Sequence, residues 1–269
     1  GILPPMLVDG RKIAEDILSE ITRVVTGFSN APKMVAVTCA PNFETKKYLE
    51  MKKNQAAAVG VALNVVELPA EVSTKDVVDC VKRVAAECDG VVVQLPLPMR
   101  VDREAVLAEV PVNKDPDGFS YGLDEQACFS PVVGAIDEIS KKYLIDWREK
   151  RVVVLGEGRL VGKPVAFYAK AKGAKVTVLT EVNFQESKLL EADIIVSGIG
   201  RPRFVKNDMV KDGVVVFDAG TSEDGGELAG DVDEEVASKA SLLTPVPGGI
   251  GPITIAYLLR NLVSLAGRL

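Results

Sequence analysis

Residues 151–164, Arg-Val-Val-Val-Leu-Gly-Glu-Gly-Arg-Leu-Val-Gly-Lys-Pro, leave little choice of local structure. The Val/Leu run reads as a strand buried on both faces, the glycines as a turn where backbone approaches something closely, and Pro164 as a first-turn helix residue. Backbone N–H groups at such a helix start, with the positive end of the helix dipole behind them, make a site for phosphate. A dinucleotide is the natural candidate. The spacing is G-x-G-x-x-x-G, one residue longer than the usual dinucleotide fingerprint, so on this stretch alone a plain tight strand-to-helix connection stays open. The downstream pattern favours the nucleotide. Residues 175–179 read as a second strand ending at Thr180-Glu181, and Glu181 lies 25 residues after Gly156, near where an acid would meet the adenosine ribose. Residues 194–198 and 214–218 supply two more buried strands, and this rhythm predicts a doubly wound parallel sheet.

The N-terminal half alternates strand and helix as well. Asp9 is placed to cap a helix over 10–25 whose Ile13, Ile17, Ile21 and Val24 share one face. A strand over 34–39 follows, then a helix capped by Thr45 and reaching Val59, a strand over 63–68, and a helix opened by Ser73-Thr74-Lys75-Asp76 with Val77, Val81 and Val84 inward. The strand over 91–95 is stopped by Pro96 and Pro98. Residues 102–110 read as a short helix, 111–118 as a polar loop, 132–144 as a bridging helix, 220–233 as a surface hairpin arm, 242–243 as a short strand and 254–266 as an apolar helix. The expected class is α/β: two α/β domains flanking a cleft, the second a Rossmann-like doubly wound parallel sheet. The expected division is 1–120, completed by a helix over 252–269, and 121–251.

Composition excludes several functions. The net charge of −6, with no basic run, argues against nucleic acid as a partner. No apolar run is long enough to cross a bilayer, and the opening Gly1-Ile2-Leu3-Pro4-Pro5 lacks the parts of a signal peptide, so a soluble cytoplasmic protein is expected. Cys39, Cys80, Cys88 and Cys128 form no C-x-x-C pair; they read as buried small hydrophobes in a reducing compartment, with no zinc site. The chain has no histidine, which removes imidazole base catalysis, Ser-His and Cys-His pairs and histidine metal sites. Chemistry must run on Lys, Tyr, Asp, Glu, thiols, backbone or a cofactor, and no metal is expected.

Tyr48 and Lys52 stand at i and i+4 on one helix face, a spacing that on most helices marks only a surface contact. Gln94 is the stronger signal, because it interrupts a wholly apolar strand near its carboxyl end, where open α/β sheets bind ligands. Asp117 in Lys-Asp-Pro-Asp-Gly is by itself an ordinary turn aspartate. Residues 245–252, Pro-Val-Pro-Gly-Gly-Ile-Gly-Pro, alternate rigid and permissive residues and read either as a shaped backbone loop or as a simple redirection of the chain.

Six segments, in this order and over nearly the whole chain, resemble the methylenetetrahydrofolate dehydrogenase/cyclohydrolase family: Tyr48-Leu49-Glu50-Met51-Lys52; Val93-Gln94-Leu95-Pro96-Leu97-Pro98; Lys114-Asp115-Pro116-Asp117-Gly118; Val154-Leu155-Gly156 with Val161-Gly162-Lys163-Pro164; Ala192-Asp193-Ile194; and Thr244 through Pro252. The resemblance implies an enzyme of one-carbon metabolism that oxidises 5,10-methylenetetrahydrofolate with a nicotinamide dinucleotide and hydrolyses the methenyl product to 10-formyltetrahydrofolate. It implies that Lys52 is the catalytic acid or base, that Gln94 positions its nitrogen, that Tyr48 stacks on the folate and that Asp117 bonds the pterin. Leu95, Pro96, Gly251 and Thr254 would complete the substrate site. The cofactor, NADP or NAD, would be held by Gly156, Glu157, Gly158, Arg159, Val161, Gly162, Glu181, Gly198, Ile199 and Thr221. A homodimer is also implied.

The chain departs from the family's pattern in three places. Glu157 and Gly158 stand where Arg and Ser are frequent, and Thr180-Glu181-Val182-Asn183 replaces His-Ser-Lys-Thr. Both changes put acid near a ribose 2′-phosphate and lean toward NAD, while Arg159 keeps NADP open. Phe129-Ser130-Pro131-Val132 replaces a Pro-Cys-Thr-Pro segment near the nicotinamide. The competing expectations are a monofunctional dehydrogenase or cyclohydrolase of the same fold, a dehydrogenase of another substrate class, and a catalytically silent dinucleotide-binding protein.

Overall fold

The computed structural model describes residues 6–267; Gly1 to Pro5, read above for the lack of a leader, lie outside them, as do residues 268 and 269. In chain order the elements are β1 (Met6–Leu7), α1 (Gly10–Val25), β2 (Lys33–Cys39), α2 (Phe43–Ala58), β3 (Ala62–Leu68), α3 (Thr74–Ala85), β4 (Gly90–Val93), α4 (Arg103–Leu107), α5 (Pro131–Lys142), β5 (Arg151–Leu155), α6 (Gly162–Ala171), β6 (Lys175–Leu179), α7 (Glu186–Glu191), β7 (Ile194–Ser197), β8 (Val215–Asp218), β9 (Ser222–Asp224), β10 (Glu227–Ala229), β11 (Leu242–Leu243) and α8 (Ile250–Ala266). Among the described residues they separate into two compact units, one holding residues 15–130 and 255–267, the other holding residues 6–14 and 131–254.

The first unit is built on a three-stranded parallel sheet in the order β3-β2-β4. Its central strand is buried on both faces, which is why Met34 through Cys39 carries no alternation of polar residues. Val77, Val81 and Val84 of α3 pack with Val35, Val37, Val91 and Val93 of the sheet and with Val106 and Leu107 of α4. Helix α3 opens on a capping box: the Ser73 hydroxyl accepts the Asp76 N–H, and the Asp76 carboxylate accepts the Ser73 N–H. The carboxyl half of α8 closes the unit. Asn261 donates its amide to the Pro116 and Phe129 carbonyls, each at 2.9 Å, and Leu262 lies where a side chain at Gly90 would collide with it.

Four local expectations need correction. The cap of α2 is Asn42, whose Oδ1 accepts the Thr45 N–H at 2.8 Å. A capping oxygen bonds an N–H two or three residues on, so Thr45 is the donor rather than the cap. Val24 shares the stripe of Ile13, Ile17 and Ile21 but is 45% exposed, one turn beyond the last buried position. Strand β4 ends at Val93; the Gln94 N–H still donates to the Val37 carbonyl at 2.9 Å, but Pro96 has no N–H with which to continue the ladder. Helix α8 begins at Ile250, not Thr254, because Pro252 falls in the first turn, where its missing N–H costs nothing.

The second unit carries a six-stranded sheet in the order β1-β11-β8-β7-β5-β6, parallel throughout and Rossmann-like. Its core joins Val153, Leu155, Ile195 and Val216 of the strands to Leu189 of α7 and to Val205, Val210 and Val236 of the connections. The sequence-based division differs here at the N terminus. Met6 and Leu7 pair with Leu242 and Leu243, and the Gly10 N–H donates to the Gly248 carbonyl at 2.8 Å, so residues 6–10 belong with this sheet. Residues 222–229 form the antiparallel hairpin of β9 and β10. No helix among the described residues is long and apolar enough to cross a membrane.

The cap assignment predicts that Asn42→Ala costs about 1 kcal/mol of stability while Thr45→Ala costs less than about 0.5 kcal/mol, read from urea unfolding curves. A larger loss at Thr45 would return the cap to that residue.

Candidate active site

Helix α2 turns Tyr48 and Lys52 to one face, and the end of β4 delivers Gln94 to the same place. Lys52 Nζ donates to Gln94 Oε1 at 3.0 Å and lies 4.8 Å from the centroid of the Tyr48 ring. Lys52 is only 7% exposed, although most lysines on an amphipathic helix face water. Burial pulls its pKa below the ordinary 10.5, with the Asp117 carboxylate opposing that shift. Gln94 Nε2 donates to the Leu95 carbonyl at 3.2 Å, which turns the amide so that its oxygen faces the lysine. The Leu95-Pro96 peptide is cis.

Asp117, half-buried, is pushed up by burial and held down by the charge of Lys52. Two residues before it stands Asp115, which no feature of the sequence singles out. This carboxyl is 1% exposed, its Oδ2 accepts the Ser120 N–H at 3.2 Å, and its Oδ1 has no hydrogen-bond partner among the described residues. Burial first, and then the Asp117 charge, push its pKa up to about 7. The amine, the amide and the two carboxyls all lie in the first unit. Together they form a largely buried polar cluster in which burial favours the neutral form of the amine.

In the second unit the glycine turn has the form that its residues require. Gly156 sits at φ +92°, in the left-handed region, and its N–H donates to the Leu179 carbonyl at 2.8 Å. A Cβ at Gly162 would strike the Gly156 carbonyl oxygen, and one at Gly198 would strike the Val161 side chain. Gly158, in contrast, faces open space, and the first turn of α6 has no side-chain cap. An uncapped helix start beneath open space suits a pyrophosphate. Glu157 is exposed and Arg159 partly so. Glu181 is not a lone acid: its Oε1 pairs with Arg201 Nη2.

The support of this site comes from acids that no sequence motif marks. Asp231, fully buried, accepts the Ser197 hydroxyl at 2.7 Å, the Ile199 N–H at 2.8 Å and the Arg201 N–H at 2.9 Å. Asp218 accepts the N–H groups of Gly220, Asp231 and Val232, and burial pushes its pKa up to about 6. The two carboxylates therefore fix the turns that carry Gly198, Ile199 and Thr221. The Gly, Asp and Glu content of 220–233 signalled an exposed arm and concealed the buried acid. Arg201 was findable, since it follows the glycines at the carboxyl end of β7, where open sheets bind ligands. At the start of α8 the Thr254 hydroxyl donates to the Gly251 carbonyl at 2.7 Å; both residues belong to the second unit.

Residues 8–117 match the family description "Tetrahydrofolate dehydrogenase/cyclohydrolase, catalytic domain", and residues 131–268 match its "NAD(P)-binding domain". The chain is 36% identical over 280 residues to the "Bifunctional protein FolD" of Nautilia profundicola, covering 97% of this chain and 96% of that protein. It superposes with a TM-score of 0.93 on the bifunctional FolD of Campylobacter jejuni, at 29% identity, covering 98% of this chain and 99% of that one. The Trypanosoma brucei N5,N10-methylenetetrahydrofolate dehydrogenase-cyclohydrolase, solved with NADP and an inhibitor, gives a TM-score of 0.92 at 32% identity, with 99% of each chain covered.

Asp115 generates a pH prediction. Its carboxyl titrates near 7 in the fold against an ordinary 3.8, so the unfolded chain gives up this proton first. The group's contribution to stability is complete below pH 3.8 and drains away as the pH rises to about 7. Asp115→Asn, which keeps the shape, should therefore gain stability over the parent progressively between about pH 4 and 7 and hold that gain above. Urea unfolding across this range checks it; a pH-independent difference would show that the carboxyl is not perturbed.

Proposed function

The chain belongs to the tetrahydrofolate dehydrogenase/cyclohydrolase family, and from that premise we propose how its residues divide the work of the two activities. The reactions are oxidation of 5,10-methylenetetrahydrofolate and hydrolysis of the resulting methenyl cation to 10-formyltetrahydrofolate. The observation that carries the assignment is the buried Lys52 amine held at 3.0 Å by Gln94. The first unit is the folate-binding unit and the second the dinucleotide-binding one.

Tyr48 offers its ring to the folate, and Asp117 accepts N–H donors of the pterin, with Leu95 and Pro96 beside Gln94 and with Gly251 and Thr254 as further substrate contacts. For hydrolysis Lys52 acts as a neutral amine. It takes a proton from the water whose oxygen bonds to the methenyl carbon, then delivers a proton to the ring nitrogen as the carbon–nitrogen bond breaks and the formyl group forms; one proton is released overall. A cationic substrate beside Lys52 lowers its pKa further, since two like charges disfavour each other. Gln94 keeps the nitrogen lone pair aimed without adding charge.

The turn from Gly156 to Gly162 fits a pyrophosphate, because Gly158 faces open space at the uncapped start of α6. Glu181, Gly198, Ile199 and Thr221 would hold the rest of an NAD or NADP molecule, with Glu157, Arg159 and Val161 lining the turn. When bound, that cofactor supplies the hydride acceptor for the oxidation. The β9–β10 hairpin, with Leu228 half exposed, supports a homodimer joined through this arm. The buried thiols Cys39, Cys80 and Cys88 support a reducing, cytoplasmic setting.

Purified protein given methylenetetrahydrofolate with NAD and NADP in parallel should form the methenyl product and then consume it. Lys52→Met should lower hydrolysis of added methenyltetrahydrofolate by at least about a hundredfold with an unchanged circular dichroism spectrum. Hydrolysis at the parent rate would remove Lys52 from its role.

A further inference from the structure

The order β7-β5-β6 places β5 between the two strands that carry Arg201 and Glu181 at their carboxyl ends. Their ion pair therefore bridges the end of β5, from which the Gly156 turn departs. The two members are built differently. Arg201 is rooted: its N–H donates to the buried Asp231 at 2.9 Å, and its guanidinium carbon lies 5.8 Å from the centroid of the Phe204 ring. Its side chain is nevertheless 51% exposed, and that of Glu181 is 75% exposed. A fixed backbone thus carries a guanidinium that can change partners at little cost.

Resting on the reading that Glu181 faces the adenosine ribose, we propose that Arg201 is the 2′-phosphate receptor of this chain, exchanging Glu181 for the phosphate when NADP is bound. With NAD, Glu181 Oε2 accepts the ribose hydroxyl while Oε1 stays with Arg201. A 2′-phosphate would meet Glu181 as a like charge unless a cation lay between them. The guanidinium already stands against that carboxylate, and its planar fork matches phosphate oxygens as well as carboxylate oxygens. The pair therefore makes one site that admits either nucleotide, although Glu157 and Glu181 taken alone lean toward NAD.

Equilibrium dissociation constants for NAD and NADP, measured separately by calorimetry on the full chain, test this without turnover. Arg201→Met should weaken NADP about tenfold and NAD by less than about threefold, and should flatten the salt dependence of NADP binding. Arg201→Lys, which keeps the charge and loses the fork, should fall between. Glu181→Gln should tighten NADP and weaken NAD. Circular dichroism and thermal melting establish that each variant is folded. Equal weakening of both nucleotides by Arg201→Met, or a selective NADP loss in Arg159→Met instead, would overturn the proposal while Glu181→Gln still shifts the ratio. If Glu181→Gln moves neither constant, Glu181 does not face the ribose, and the reading beneath the proposal falls with it.

Discussion

An amine held almost out of water is the constraint on which the first unit turns. A buried ammonium without a partner is costly, and pairing it with a close carboxylate would restore its charge and raise its pKa. Gln94 resolves this by offering a neutral acceptor at 3.0 Å. The amide in turn depends on the sheet: its own N–H is tied to Val37 on the neighbouring strand, and its side-chain nitrogen to the Leu95 carbonyl. The register of β4 against β2 thus passes directly into the aim of the lysine.

The dinucleotide-binding unit depends on a different economy, in which carboxylates hold backbone. Asp231 and Asp218 are nearly inaccessible to water yet accept a full set of N–H groups from the turns after β7 and β8. Bonds of this kind are stronger than those between neutral groups and fix turns that glycine would otherwise leave loose. The turns at the ends of β7 and β8 are thereby held to the buried acids.

How much of this was legible in the sequence follows from the range of each interaction. The glycine turn could be read because its requirements are local: Gly156 needs its positive φ and Gly162 its close approach to the turn. Gln94 could be read because an amide in an apolar run is anomalous wherever it occurs. Spacing alone left Tyr48 and Lys52 an ordinary helix pair, and only the family resemblance separated them from others. Asp231 and Arg201 escaped because their partners lie far along the chain: Asp231 holds Ser197, and Arg201 meets Glu181. The misplaced cap of α2 is a different failure, since Asn42 and Thr45 both suit the role and only the geometry decides.

The interleaving of the two units has a consequence for biosynthesis. The strand at residues 6–7 finds its neighbour only at 242–243, and the unit that contains Gly90 awaits Asn261 and Leu262 from α8. Neither the β1–β11 pairing nor the Asn261 bonds to Pro116 and Phe129 can form while the ribosome still holds those residues. Strict vectorial folding, one domain maturing before the next emerges, does not suit this order of contacts: the Asn261 bonds and the Leu262 packing on the first unit form only after residues 261–262 have left the exit tunnel.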